Sequence, residues 1–112
     1  MIQEEKDLLL KDLCARLPYF TKVQIKNEIV VLNSICDDDG YHFNFIGDDM
    51  EGVNIEEIKP YLFPMSQVVE EIVTTSNKHI AVNVDFFHKN HIDYRGLIPK
   101  GLANDATGLN IY

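Results

Sequence analysis

The run from Phe20 to Gly47, FTKVQIKNEIVVLNSICDDDGYHFNFIG, constrains the fold more than any other part of the chain. Val23 and Ile25 alternate with Lys22, Gln24 and Lys26, and residues 29 to 36 are richer in apolar side chains. Tyr41, Phe43 and Phe45 share one parity, His42 and Asn44 the other. Successive side chains of a strand point to opposite faces, so a period of two marks half-buried strands. Asn27-Glu28 and Asp39-Gly40 fall between the apolar runs, where tight turns join antiparallel neighbours. The spacing predicts a three-stranded antiparallel meander with Tyr41, Phe43 and Phe45 turned to the core.

Helical signals flank this run. Over residues 3 to 17, Leu9, Leu10, Leu13, Cys14 and Leu17 follow helical spacing, with Glu4, Glu5, Lys6, Lys11 and Asp12 outside. Arg16 suits the negative end of the helix dipole, and Pro18 stops the helix. Beyond the meander, Val53 to Ile55 reads as a short fourth strand and Glu56 to Lys59 as one helical turn before Pro60. Tyr61 to Phe63 reads as a closing strand or an extended pad over the sheet. Ser66 caps a helix over 67 to 75, with Val68, Val69, Ile72 and Val73 as its buried stripe. A loop at 74 to 77 leads to a last helix over roughly 81 to 91. Residues 93 to 112, with three glycines and a proline, are irregular closing structure. The expectation is a single α+β domain over residues 1–112, a small meander flanked by an N-terminal helix and two C-terminal helices. An SH3-like barrel is the closed form such a meander would take.

Charge is uneven along the chain. Glu28, Asp37, Asp38, Asp39, Asp48, Asp49, Glu51, Glu56 and Glu57 lie between Asn27 and Ile58 with no Lys or Arg among them. Ten bases balance the nine remaining acids, so the net charge of −8 comes from that one interval. Such a surface repels nucleic acid and anionic membranes and favours a protein partner with a basic surface. No apolar run approaches the roughly 18 residues that span a bilayer. The N-terminus has acids where a signal peptide needs bases. A cytoplasmic location is expected, with Cys14 and Cys36 as free thiols on apolar faces. There is no CxxC.

Candidate chemistry is sparse. Asp85, His88 and His91 are the one metal-like grouping, but across six residues of a regular helix the first and last diverge by about 120°. The expectation is an exposed His88 and a His91 hydrogen-bonded to a carbonyl at the helix end, with no metal or cofactor. DDDG lacks the alternating acids and distal Glu of a calcium loop. GxSxG, GxGxxG and Walker motifs are absent. In HIDYRGLIPKGLA, residues 91 to 103, Asp93 and Arg95 are expected to pair with each other or to brace the turn. Gly96 and Gly101 should adopt positive φ, and Leu97, Ile98 and Leu102 should plug the sheet. The competing reading makes Tyr94 and Arg95 a binding pair for an anion or a partner carboxylate.

LLLKDLCARLPY, IKPYLFPMS and HIDYRGLIPKGLA together resemble a family of small uncharacterised proteins encoded by gut anaerobic bacteria and by their phages and mobile elements. The resemblance covers the two ends and the KPYLFPMS segment; the strand region agrees mainly in pattern. It implies no reaction, ligand or catalytic residue. In that family a basic residue often stands where this chain has Phe63, so any contact made by that residue would be missing here. The sequence therefore leads to a non-enzymatic interaction module with partner-binding candidates Asp37, Asp38, Asp39, Asp48, Asp49, Glu51, Tyr94 and Arg95. Two alternatives stand beside it: an acidic nucleic-acid-mimicking inhibitor of a host protein, and a metal-dependent hydrolase using Asp85, His88 and His91.

Overall fold

The computed structural model describes residues 1–37, 40–47, 52–65 and 84–112; the side chains of Val84 and Asp85 lie outside that description. The expected helix over 67 to 75 and its Ser66 cap also fall outside it. Helix α1 spans Gln3–Ala15, and the Glu5 carboxylate accepts a hydrogen bond from the Ile2 N–H at 3.3 Å. Pro18 sits in the short 3₁₀ turn Leu17–Tyr19 that follows. The buried stripe of α1 is rotated by one residue from the sequence expectation. Leu9, Asp12, Leu13 and Arg16 are buried, whereas Cys14 is exposed. Asp12 can face inward because cationic partners meet it there, as described below.

Strands β1 (Lys22–Ile25), β2 (Glu28–Asp37) and β3 (Tyr41–Ile46) form the predicted antiparallel meander. The first turn is one residue earlier than expected: Ile25 pairs with Glu28, and Lys26 takes φ 56°. That register sets Val23 opposite Val30, both buried. In β2 the register shifts between Leu32 and Ser34, so Asn33 is the extra residue of a β-bulge. The bulge changes the strand's phase and lets both Leu32 and Ile35 face the core side, opposite Phe45 and Phe43. Phe43 and Phe45 are buried as expected, but Tyr41, near the hairpin end, is exposed. Cys36 is exposed too, opposite His42 on the outward face.

Val53 to Ile55 is not a strand. Ile55–Glu57 form a 3₁₀ turn instead, earlier than the predicted helical turn. Ile55 packs on the core and Glu56 meets Lys6 of α1 at 2.7 Å, which holds the turn against that helix. Strand β4 (Ile58–Pro64) then pairs antiparallel with β1. Helix α2 covers Val84–Lys89 and stops short of the predicted end, because His91 enters the left-handed region at φ 57°. Strands β5 (Ile92–Asp93) and β6 (Asn104–Asp105) both pair in parallel with β4. The path runs β3-β2-β1-β4-β5, with β6 also on β4. The described strands make an open sheet, so the expected SH3-like barrel is not seen among them: the closing segment occupies the edge of β4 while β3 remains at the opposite end of the path.

One sheet face carries the core. Val23, Ile25, Val30, Leu32, Phe43, Phe45, Ile58 and Leu62 meet Leu9 and Leu13 of α1 and Leu97, Leu102 and Ala103 of the closing segment. Leu97 and Leu102 are thus the plugs expected of them, and Gly96 and Gly101 adopt φ 73° and 74°. Among the described residues no helix is long and apolar enough to cross a membrane. Leu62→Ala should cost roughly 2–5 kcal/mol of stability through the cavity it leaves. The half-exposed Ile46→Ala should stay within about 0.5 kcal/mol, the range usual for surface positions away from special features. Urea denaturation of the two variants checks this contrast.

Candidate functional site

The residues that look most like a site in the sequence are assembled around Asp12. Arg16, one helical turn later and fully buried, donates from Nε to Asp12 Oδ2 at 2.8 Å. It also donates to the Ile92 carbonyl at 2.5 Å and to the Phe87 carbonyl at 3.4 Å. Arg95 approaches from the closing segment and donates from Nε to Asp12 Oδ1 at 3.1 Å. One carboxylate therefore bridges two guanidiniums, each using a different oxygen. A carboxylate in this position is tolerable only because charged donors replace the water it has lost.

Asp93 does not pair with Arg95. Its carboxylate accepts the backbone N–H groups of Leu97 and Ile98, at 2.8 and 2.9 Å, across the turn at Gly96. Asp93 thus braces the turn, and Arg95 is released to reach Asp12. Tyr94 completes the cluster. Arg95 donates to its hydroxyl at 2.5 Å, and that hydroxyl lies 2.7 Å from His88 Nε2. The Tyr94 ring stacks on Phe87 at 5.3 Å, with the Arg95 guanidinium 4.8 Å and the Arg16 guanidinium 5.6 Å from its centroid.

The histidines differ from expectation. His88 is buried rather than exposed, because Tyr94 draws it inward. Among the described residues His91 makes no side-chain bond to a carbonyl: its ring stacks on Tyr112 at 3.8 Å, and its buried Nδ1 has no hydrogen-bond partner among them. The Tyr112 hydroxyl donates to the Tyr61 carbonyl at 2.8 Å and accepts from the Lys22 N–H at 2.8 Å, which fastens this end of the chain to β1 and β4. Burial, with the charges of Arg16 and Lys22, pushes His91 down to about 4. Burial pushes Tyr112 up to about 12. His88 and His91 thus face different tyrosines, and the side chain of Asp85 lies outside the described residues. No group of three or more potential metal ligands occurs among the described residues.

The second candidate region is the acidic one. Of its carboxylates, Glu28, Asp37, Glu56 and Glu57 are described and all are exposed. Asp38, Asp39, Asp48, Asp49 and Glu51 lie outside the described residues. Lys22 of β1, Ile29 and Val31 of β2, Ile46 at the end of β3 and Ile111 line a shallow groove that runs across these strands. Sequence reasoning missed Asp12 and Arg16 altogether as partners of the closing segment. The available signal was the series 9, 12, 13, 16, which puts an i, i+4 ion pair on the same helical face as two leucines.

A comparison of the chain with protein-family models, with curated proteins and with solved structures returns no match.

Two predictions follow from these contacts. Asp12→Ala strands two guanidiniums and should cost roughly 3–5 kcal/mol. Arg95→Ala, which leaves the buried Asp12–Arg16 pair intact, should lower the melting temperature by less; calorimetry on both variants separates the two effects. For His91, the unfolded imidazole titrates near 6.5 and the folded one near 4, so the unfolded chain binds more protons in that window. Stability should be indifferent to this residue above pH 6.5 and fall as pH drops towards 4. His91→Asn, which suits the left-handed backbone, should flatten the decline of the urea midpoint over the same range.

Proposed function

We propose that this chain is a non-enzymatic, intracellular protein-interaction module of the phage or mobile-element type, and that its partner presents a basic surface. The observation that carries the reading is where the charges are spent. Arg16 and Arg95 are both directed at Asp12, and the Tyr94 hydroxyl is engaged by Arg95 and His88. In the closing segment, the most site-like stretch in the sequence, Asp93, Tyr94 and Arg95 are thus engaged in internal contacts. The carboxylates between Asn27 and Ile58 have no basic residue within that interval, and those described are exposed. Among the described carboxylates of the interval, Glu56 is the one in an ion pair, with Lys6. An interval so rich in carboxylates makes a strongly negative field, which attracts cationic surfaces and hastens encounter with them.

The resemblance to proteins of phages and mobile elements supports a role inside a host cell, and an acidic decoy for a nucleic-acid-binding protein is a special case of the same electrostatics. A hydrolase built on the two late histidines has no comparable support, since His88 and His91 are held by different aromatic neighbours.

The test is capture of host proteins on the immobilised chain at low and high salt, with the wild type and with Asp37, Asp38 and Asp39 all replaced by Asn. Capture of a basic partner should fall roughly tenfold or more on either change, because exposed charge pairs are screened beyond about 10 Å at 0.1 M ionic strength. Capture indifferent to both would overturn the reading.

A further inference from the structure

We infer that the slot between Lys22, Phe63 and His91 is a recognition site for a tyrosine within a peptide chain, filled by the molecule's own Tyr112 and open to a tyrosine of the partner protein when residues 109–112 lift away. The inference rests on the interaction-module reading above and names a side chain that the partner supplies.

The slot is matched to a phenol. The Tyr112 ring stacks on the His91 imidazole at 3.8 Å and 14°, and Phe63 closes a second side at 5.8 Å. Burial pushes His91 down to about 4, so the ring it offers at neutral pH is uncharged. The Lys22 ammonium lies 5.7 Å from the Tyr112 centroid. At the far end the hydroxyl meets a donor and an acceptor at once. It accepts from the Lys22 N–H at 2.8 Å and donates to the Tyr61 carbonyl at 2.8 Å. Those two backbone groups lie just past the Val23–Pro60 pair, where the β1–β4 register ends. A phenylalanine in the slot answers neither of them.

The site reads more than a ring. The Lys22 ammonium also donates to the Ile111 carbonyl, the peptide group that precedes the tyrosine. A free amino acid carries a cationic amino group at that point, which the ammonium repels. The slot therefore selects tyrosine inside a chain.

Its walls stand without the segment that fills it. The Phe63 N–H donates to the His91 carbonyl at 2.8 Å, which ties two walls together, and the β1–β4 pairing sets Lys22 beside them. Among the described residues the core cluster includes none of 109–112. Gly108, Leu109 and Asn110 are exposed, and Gly108 and Asn110 take φ 78° and 53°. A segment exposed along its length and anchored at its tip belongs to the low-stability end of a fold, where local opening is least costly.

The experiment uses isotope-labelled wild type and Tyr112→Ala with three probes: acetyl-isoleucyl-tyrosine amide, its phenylalanine counterpart and free tyrosine. Tyr112→Ala should stay folded at room temperature; an unfolded variant overturns the inference, because the walls then need their own tyrosine. In this variant the tyrosine dipeptide should shift the amide signals of Lys22, Phe63 and His91. It should bind roughly tenfold or more tighter than to the wild type, where Tyr112 competes at high effective concentration. At saturation the wild-type signals of residues 109–111 should move as well. Phenylalanine in place of tyrosine should weaken binding roughly tenfold, as expected from loss of two hydrogen bonds, and free tyrosine should not bind. Equal binding of either control overturns the selectivity. Wild-type signals at 109–111 that stay in place, or no wild-type binding at the highest soluble concentration, overturn displacement by a partner. Charge-dependent capture that survives failure of the dipeptide strikes this inference alone and leaves the reading beneath it standing.

Discussion

The Asp12 carboxylate, shared between Arg16 and Arg95, is the interaction on which the rest of the architecture depends. It joins the first helix to the last irregular segment. Through the other donors of Arg16 it also collects the carbonyls of Phe87 and Ile92, at the end of α2 and the start of β5. Remove that carboxylate and two guanidiniums are left in low dielectric with no anion between them. The parallel pairing of β5 with β4 and the seating of Leu97 and Leu102 both rely on this anchor. Buried ion pairs seldom add much net stability relative to apolar packing. Their effect here is on geometry: a planar guanidinium with fixed donor directions specifies where three separate backbone segments meet.

That arrangement explains which parts of the fold were legible in the sequence. Period-two alternation is local, so the β1–β2–β3 meander and the buried Phe43 and Phe45 could be read directly. The plugs Leu97 and Leu102, and the positive φ of Gly96 and Gly101, were legible for the same reason. The α1 stripe was misjudged by one residue because Asp12 was assigned to solvent on polarity alone. Its partner Arg95 lies 83 residues away, and no periodicity reports such a pairing. His88 was misplaced through the same omission, since only the inward turn of Tyr94 makes its burial favourable. The pairing of the closing segment with β4 was not legible, because its two short parallel strands, two residues each, carry too little pattern to be seen in sequence.

The candidate site divides along the same line. Tyr94 and Arg95 were singled out as chemically unusual, and they are, but their partners are internal. The acidic interval was singled out by composition, and composition is a sound guide to long-range field even where it says nothing of contacts. The two features therefore have opposite roles: one concentrates charge inward to close the domain, the other sets the potential that approaching molecules encounter.

The bulge at Asn33 has a consequence of its own. It stitches together the two halves of β2 that pair with β3 on either side of it, so that inner and outer positions are exchanged across a single residue. A substitution at Asn33 leaves that stitching intact. Loss of that one residue would leave Leu32 opposite Phe45, Ser34 opposite Asn44 and Ile35 opposite Phe43, a regular ladder in which every later side chain keeps its side. The extra residue therefore serves the local bend and twist of the strand, and removing it would straighten the hairpin without turning its core face outward.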